Sequence, residues 1–137
     1  MAYWLVKSEP ETWSWAQQAK AGKTNWDGVR NHQAAGYLRA MKKGDLAFFY
    51  HSGDEKQVVG VVKVSKEHMP DPKDETGKFV MVEMAMEKPA KAPVTLTAIK
   101  AEPKLANMVL VKNSRLSVQP VTEAEWKIVC KMAGIAS

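Results

Sequence analysis

Residues Trp26 to Ser52 read W-D-G-V-R-N-H-Q-A-A-G-Y-L-R-A-M-K-K-G-D-L-A-F-F-Y-H-S, and the rest of the chain is organised around them. Trp26 stands between Asn25 and Asp27-Gly28, which is the chemistry of a turn. From Asn31 the pattern is helical: Asn31 can cap, Ala34, Leu38 and Met41 recur at i, i+4 and i+7, and Gly44 stands where a left-handed C-terminal residue belongs. Asp45 then opens L-A-F-F-Y, a strand of aromatic and apolar residues. That strand ends in Tyr50-His51-Ser52 and carries three polar groups to the rim of the fold. An aromatic plate, helix N-terminal N–H donors and an arginine on that rim would suit a flat polar ligand.

Outward from this stretch, Ala2 to Lys7 predicts a buried strand that Ser8-Glu9-Pro10 stops. Ser14 and Gln17 form a capping-box pattern for a helix over Trp15 to Ala21, closed by Gly22. Val58 to Val64 is almost continuously β-branched, with Gly60 marking a bulge or a close approach. His68 to Lys78 reads as a loop, Phe79 to Lys88 as an alternating strand, and Pro89 to Pro93 as a linker. Short helical turns are expected over Leu96 to Ala101, capped by Thr95, and over Lys104 to Leu110, and a short strand over Ser114 to Val118. Thr122 and Glu125 box the last helix, whose apolar face is Trp126, Val129, Cys130 and Ala133 before Gly134. Five to six strands among short helices, without βαβ alternation, predict an α+β fold with a mostly antiparallel, curled sheet or barrel.

Composition narrows the function. The chain has 137 residues, 45% apolar and 26% charged, which fits one soluble globular domain able to bury a core. A single cysteine excludes an internal disulfide, and no signal peptide or membrane-length apolar run is visible, so a reducing cytoplasm is the expected setting. The net charge of +5 favours anionic partners, nucleic acid first. His32, His51 and His68 lack metal-ligand spacing, no phosphate-cradling glycine loop is present, and Ser52, His51 and Asp54 are too close in sequence for triad geometry. No cofactor and no catalysis are expected.

Six blocks lie in the order of a known family: Y-W-L-V-K-S-E-P at 3–10, W-D-G-V-R-N at 26–31, M-K-K-G-D-L-A-F-F-Y-H-S at 41–52, V-V-G-V-V-K-V at 58–64, R-L-S-V-Q-P-V at 115–121 and W-x-x-I-x-x-M-A-G at 126–134. Together they resemble an EVE domain over essentially the whole chain. The resemblance implies a PUA-like, curled β-barrel flanked by short helices, distantly similar to YTH domains. It also implies a pocket that takes one base, often a modified one, out of DNA or RNA.

On that resemblance Trp26 is the stacking plate, and base–aromatic stacking contributes roughly 1–3 kcal/mol. Lys7, Ser8 and Glu9 border the pocket, with Glu9 as acceptor for an exocyclic amine. Gly28 and Val29 continue the turn, while Arg30 and Asn31 offer a phosphate or base-edge contact at the helix start. Tyr50, His51 and Ser52 close one side, and Arg115 with Ser117 supplies a second polar wall. Lys20, Lys23, Arg39, Lys42 and Lys43 are candidates for the sugar–phosphate backbone.

Blander readings stand beside each. Trp4 and Trp126 read as core, and Trp13 and Trp15 as packing on the barrel. Glu9 can equally cap a backbone N–H, and Arg30 can equally pair with Asp27 or Asp45. The lysines near 39–43 also read as a solvated helix face, and Cys130 as an inert buried thiol. The partner expected is therefore DNA or RNA carrying a modified base, bound by a monomer away from any membrane. Two other readings are a nucleotide-processing enzyme with Glu9 or His51 as acid or base, and a module whose basic face binds an acidic protein.

Overall fold

A computed structural model describes residues 1–136. Its elements are β1 (Tyr3–Ser8), α1 (Trp15–Ala21), β2 (Lys23–Trp26), α2 (His32–Ala40), β3 (Leu46–His51), β4 (Gln57–Pro70), β5 (Val80–Thr95), α3 (Leu96–Ala101), a 3-10 turn (Pro103–Leu105), α4 (Val109–Lys112), β6 (Val118–Val121) and α5 (Glu123–Ala133). The strands form one six-stranded sheet in the order β2-β5-β4-β3-β1-β6. All neighbours run antiparallel except β1 and β3, which are parallel from Tyr3 opposite Leu46 to Ser8 opposite His51. The fold is the expected α+β, mostly antiparallel one, and the sheet stays open, with β2 and β6 as its two edges.

Both faces of the central strands are covered, which is why they read as unbroken apolar runs. Trp4, Val6, Phe49, Val62 and Val64 face one core with α2, and the alternate residues Leu5, Phe48 and Val61 face another with α3 to α5. Trp126 of α5 stacks on Phe48 at 3.9 Å and on Tyr3 at 4.6 Å. The capping boxes of Ser14–Gln17 and Thr122–Glu125 are both formed, as is the Thr95 cap of α3. Buried Asp45 ties the N-terminal strand to the α2–β3 turn: it accepts from Ala2 N at 3.1 Å, Trp4 Nε1 at 3.1 Å and Lys42 N at 3.0 Å.

Several sequence expectations shift, each for a physical reason. Trp26 is the last residue of β2, opposite Val82, instead of lying within a turn. Strand β4 continues to Pro70, because its outer half is held by backbone pairing to β5 with little burial, and apolar periodicity cannot register that. Strand β5 runs through Pro89 and Pro93: β2 pairs only with Val82–Ala85, so the prolines sit where no second neighbour asks for an N–H. On edge strand β6, Pro120 is tolerated for the same reason, and the strand lies at Val118–Val121 instead of Ser114 to Val118. Helix α2 stops at Ala40, but Met41 is still fully buried.

Gly60 marks both a register break in the β4–β5 ladder and a close approach. A Cβ there would come within 2.5 Å of the Trp15 ring, itself set edge-on against Phe49 at 5.3 Å. Gly60→Ala is expected to cost roughly 1–3 kcal/mol by overpacking. Urea denaturation would show it as a lower midpoint at unchanged slope.

Candidate nucleic-acid interface

A cleft of about 610 Å³ opens where the chain leaves β1 and where it passes out of β2. Lys7, Ser8, Glu9, Thr12 and Trp13 line one side, and Thr24, Asn25, Trp26 and Asp27 the other. This volume lies within the roughly 300–1,000 Å³ of small-ligand sites. Two indoles therefore border one polar opening.

Trp26 is only 8% exposed and meets Phe49 edge-on at 5.5 Å, so its ring is held by the core while it borders the cleft. Trp13 is held from below: its Nε1 donates to Gln18 Oε1 at 2.8 Å, and its carbonyl accepts from Ser8 Oγ at 2.5 Å. Gln18 is fully buried and its Nε2 donates on to Met84 O at 3.2 Å. Sequence reading favoured packing on the barrel for Trp13. The signal available was its place a few residues after Ser8-Glu9, in the segment that must turn over the end of β1.

Lys7, Ser8, Glu9 and Trp26 are brought together at the cleft, as are Thr12, Trp13, Thr24, Asn25 and Asp27, which sequence reading did not place there. The Lys7 ammonium donates to Ser114 O and lies 5.7 Å from the centre of the Tyr50 ring, and burial lowers its pKa from the ordinary value. Ser117 O accepts from Lys7 N at 3.0 Å, which sets segment 114–117, with exposed Arg115, beside the end of β1. Ser52 N donates to Ser8 O at 2.9 Å. Tyr50 is buried in the opposite core, where burial raises its phenol pKa.

His51 is buried and both its ring nitrogens are engaged. Nε2 accepts from Trp15 N at 2.9 Å, so the ring proton resides on Nδ1, which donates to Glu55 Oε1 at 2.9 Å. That hydrogen bond, chiefly, lowers the Glu55 carboxyl pKa. The imidazole thus anchors the start of α1 and has no free nitrogen for acid–base chemistry. Burial also pushes the Cys130 thiol up to about 11, away from nucleophilic use.

The turn after Trp26 is fastened by a residue that sequence reading missed. Arg30 pairs with Asp71, not with Asp27 or Asp45, at 2.9 Å. Asp71 is 2% exposed and also accepts from Gly28 N and Lys73 N, each at 2.9 Å. Gly28 adopts φ +75, a left-handed conformation that glycine takes without strain and that turns its N–H toward the carboxylate. Val29 packs into the core, and Asn31 caps α2 by accepting from Ala34 N at 2.9 Å. Asp71 escaped notice because the loop 71–79 carries no periodic signal.

The Arg30 guanidinium lies 5.4 Å from the centre of the Phe79 ring, on which His32 stacks at 5.0 Å. Of the cations expected to meet a sugar–phosphate backbone, Lys20, Lys23, Arg39, Lys42 and Lys43 are all exposed. Lys23 is 4.0 Å from Glu83, Arg39 donates to Lys78 O, and none of the five lines the cleft. Among the described residues no cluster of three or more metal-ligating side chains occurs, and no helix is long and apolar enough to cross a membrane.

An open α+β sheet with an aromatic, polar cleft at the mouth of its crossover defines a small binding module of the PUA-like kind. The EVE domain pattern matches residues 2–132, and the chain belongs to that family. It is 34% identical to human thymocyte nuclear protein 1, over 96% of this chain and 73% of that protein. A protein from Rhodopseudomonas palustris solved by NMR is 57% identical and superposes with a TM-score of 0.93, over 98% of this chain and 94% of the other. The human THYN1 protein, crystallised in complex with DNA containing 5-methylcytosine, is 34% identical with a TM-score of 0.87, over 100% of both chains.

Two carboxylates govern the loop beside the site. Burial raises the Asp71 pKa, but the hydrogen bonds from Gly28, Arg30 and Lys73 outweigh it and hold the carboxyl below its ordinary value. The Thr76 hydroxyl, with backbone N–H groups, lowers Asp74 from 3.8 to about 2. Groups depressed in the folded state stabilise it above their unfolded pKa, and that contribution is lost as pH falls through the folded value. The 71–79 loop should therefore release between pH 4 and 2, seen as loss of the His32 and Phe79 ring-current shifts by NMR. Asp71→Ala, which removes the shared acceptor of Gly28 N, Lys73 N and the Arg30 guanidinium, should release the loop at neutral pH and cost roughly 1–3 kcal/mol.

Proposed function

We propose that this protein is a nucleic-acid reader that holds one modified base, extruded from DNA, in the cleft between Trp13 and Trp26, without altering it. The observation that carries the proposal is the pair of indoles bordering one polar cleft. The aromatic walls suit the faces of a base, and the hydroxyl, amide and carboxylate groups among them suit its edge. The complex of the related human THYN1 protein with 5-methylcytosine-containing DNA supports DNA over RNA, and a methylated cytosine over hydroxymethylated cytosine or methylated adenine. The engagement of both His51 nitrogens speaks against the nucleotide-processing alternative that relies on it. A methyl group in an apolar recess contributes about 1–3 kcal/mol, so the preference expected is tens-fold.

Titration of short DNA and RNA oligonucleotides with one central plain, methylated or hydroxymethylated cytosine, or methylated adenine, at fixed salt, tests this. Methylated cytosine in DNA should bind tightest, and Trp13→Ala should weaken it by at least the roughly 1 kcal/mol of a lost stacking contact. Trp26→Ala would also remove core, at about 3–5 kcal/mol, so Trp26→Phe is the informative change at that position. Binding that ignores the modification and survives both Trp13→Ala and Trp26→Phe would leave only a basic surface.

A further inference from the structure

Asp27 stands apart from the other polar groups of the cleft. It lines the opening, its side chain is 34% exposed, and its Oδ2 lies 3.1 Å from Lys73 Nζ. Lys73 itself is 70% exposed on the loop that Asp71 fastens to Gly28 and Arg30. Two of the other polar groups are already engaged, and a third stands in solvent. The Lys7 ammonium is spent on Ser114 O, the Ser8 hydroxyl proton on Trp13 O, and Glu9 lies exposed at the rim.

Resting on the reader function above, we propose that Asp27 is the base-edge acceptor and Lys73 its phosphate-responsive partner. A carboxylate only accepts hydrogen bonds, and the Watson–Crick edge of cytosine presents a donor at N4, the pairing that geometry favours for acidic side chains. Thymine has the same 5-methyl group and outline but presents a carbonyl at that position, so Asp27 repels it. In the free protein Lys73 holds the carboxylate in place. A surface ion pair of this exposure is weak, and a backbone phosphate beside the cleft is a competing anion for the same ammonium. Transfer of Lys73 from Asp27 to phosphate leaves the carboxylate free to take the exocyclic amine, which couples docking of the strand to reading of the base.

The test compares single-stranded DNA oligonucleotides that carry one central 5-methylcytosine, thymine or cytosine, by fluorescence anisotropy over a range of salt. The wild-type protein should prefer 5-methylcytosine to thymine by roughly tenfold or more, and Asp27→Asn, which can donate as well as accept, should bring the two within about threefold. Lys73→Ala should weaken all three by one common factor, keep the preference over thymine, and reduce the slope of log affinity against log salt by about 0.7. Both side chains lie at the surface, and unchanged urea midpoints would show that the variants fold. Equal binding of thymine and 5-methylcytosine by wild type, or an unaltered ratio in Asp27→Asn, overturns the role of Asp27. An unaltered salt slope in Lys73→Ala overturns the role of Lys73. If no oligonucleotide binds at all, the reader function itself falls. If binding depends on Trp13 and Trp26 but not on Asp27, only the present inference falls.

Discussion

The parallel pairing of β1 with β3 is the constraint on which the rest of this structure depends. Two parallel neighbours cannot be joined by a hairpin, so residues 9–45 must leave the end of β1, cross the sheet and return to the start of β3. That path carries α1, β2 and α2, and it sends β2 to the opposite edge of the sheet, against β5. The chain therefore turns outward over the end of β1 and again after β2, and the cleft is the space between those two turns. A wholly antiparallel meander with short turns would have no such crossover and no such opening.

A cleft formed by turns is only as well defined as their fastenings, and here these are polar. Ser8 holds Trp13, Gln18 holds the Trp13 indole, His51 holds the start of α1, and Asp71 holds Gly28 and Arg30. Each is wholly or partly buried and each is paired, as low-dielectric surroundings require, because an unpaired buried donor or acceptor costs more than a paired one contributes. The one buried side-chain atom without a partner among the described residues, Gln119 Oε1, lies on β6 away from the cleft lining. Trp26 is fixed differently, by the face of the core against Phe49. In the proposed reading, a ring already held by packing where it borders the opening loses little freedom when a planar ligand binds.

What was legible in the sequence follows from which forces leave a local imprint. Capping boxes do, because the cap and its partner are three residues apart, and α1, α3 and α5 begin where Ser14, Thr95 and Thr122 indicated. Apolar runs buried on both faces do, as in Leu46–His51. The outer half of β4 and the passage of β5 through Pro89 and Pro93 do not, since they rest on ladder pairing and edge position, which are properties of the neighbours. At the site, Lys7, Ser8, Glu9 and Trp26 were found through the order of the sequence blocks, and Trp13 and Asp27 were missed because their turns acquire meaning only once brought face to face. Asp71 is the clearest case. It lies in a loop without pattern, two of its partners, Arg30 and Gly28, are 41 and 43 residues away, and nothing local marks it as the clasp of the turn.

Charge and selectivity act on different parts of the binding energy in the proposed reading. Discrimination of one methyl group or one exocyclic amine is limited to a few kcal/mol, because only a few atoms differ between ligands. A single stacked base adds a similar amount. In the proposed reading those terms set preference, while the cost of extruding a base and immobilising a strand is met by contacts that every nucleic acid offers, which are its phosphates. The net charge of +5 is suited to that task. Lys73, paired with the cleft-lining Asp27, and exposed Arg115, beside the end of β1, are the cations that the structure ties to that opening. In the proposed reading, affinity comes from exposed cations around the opening and selectivity from its aromatic walls and their acceptors.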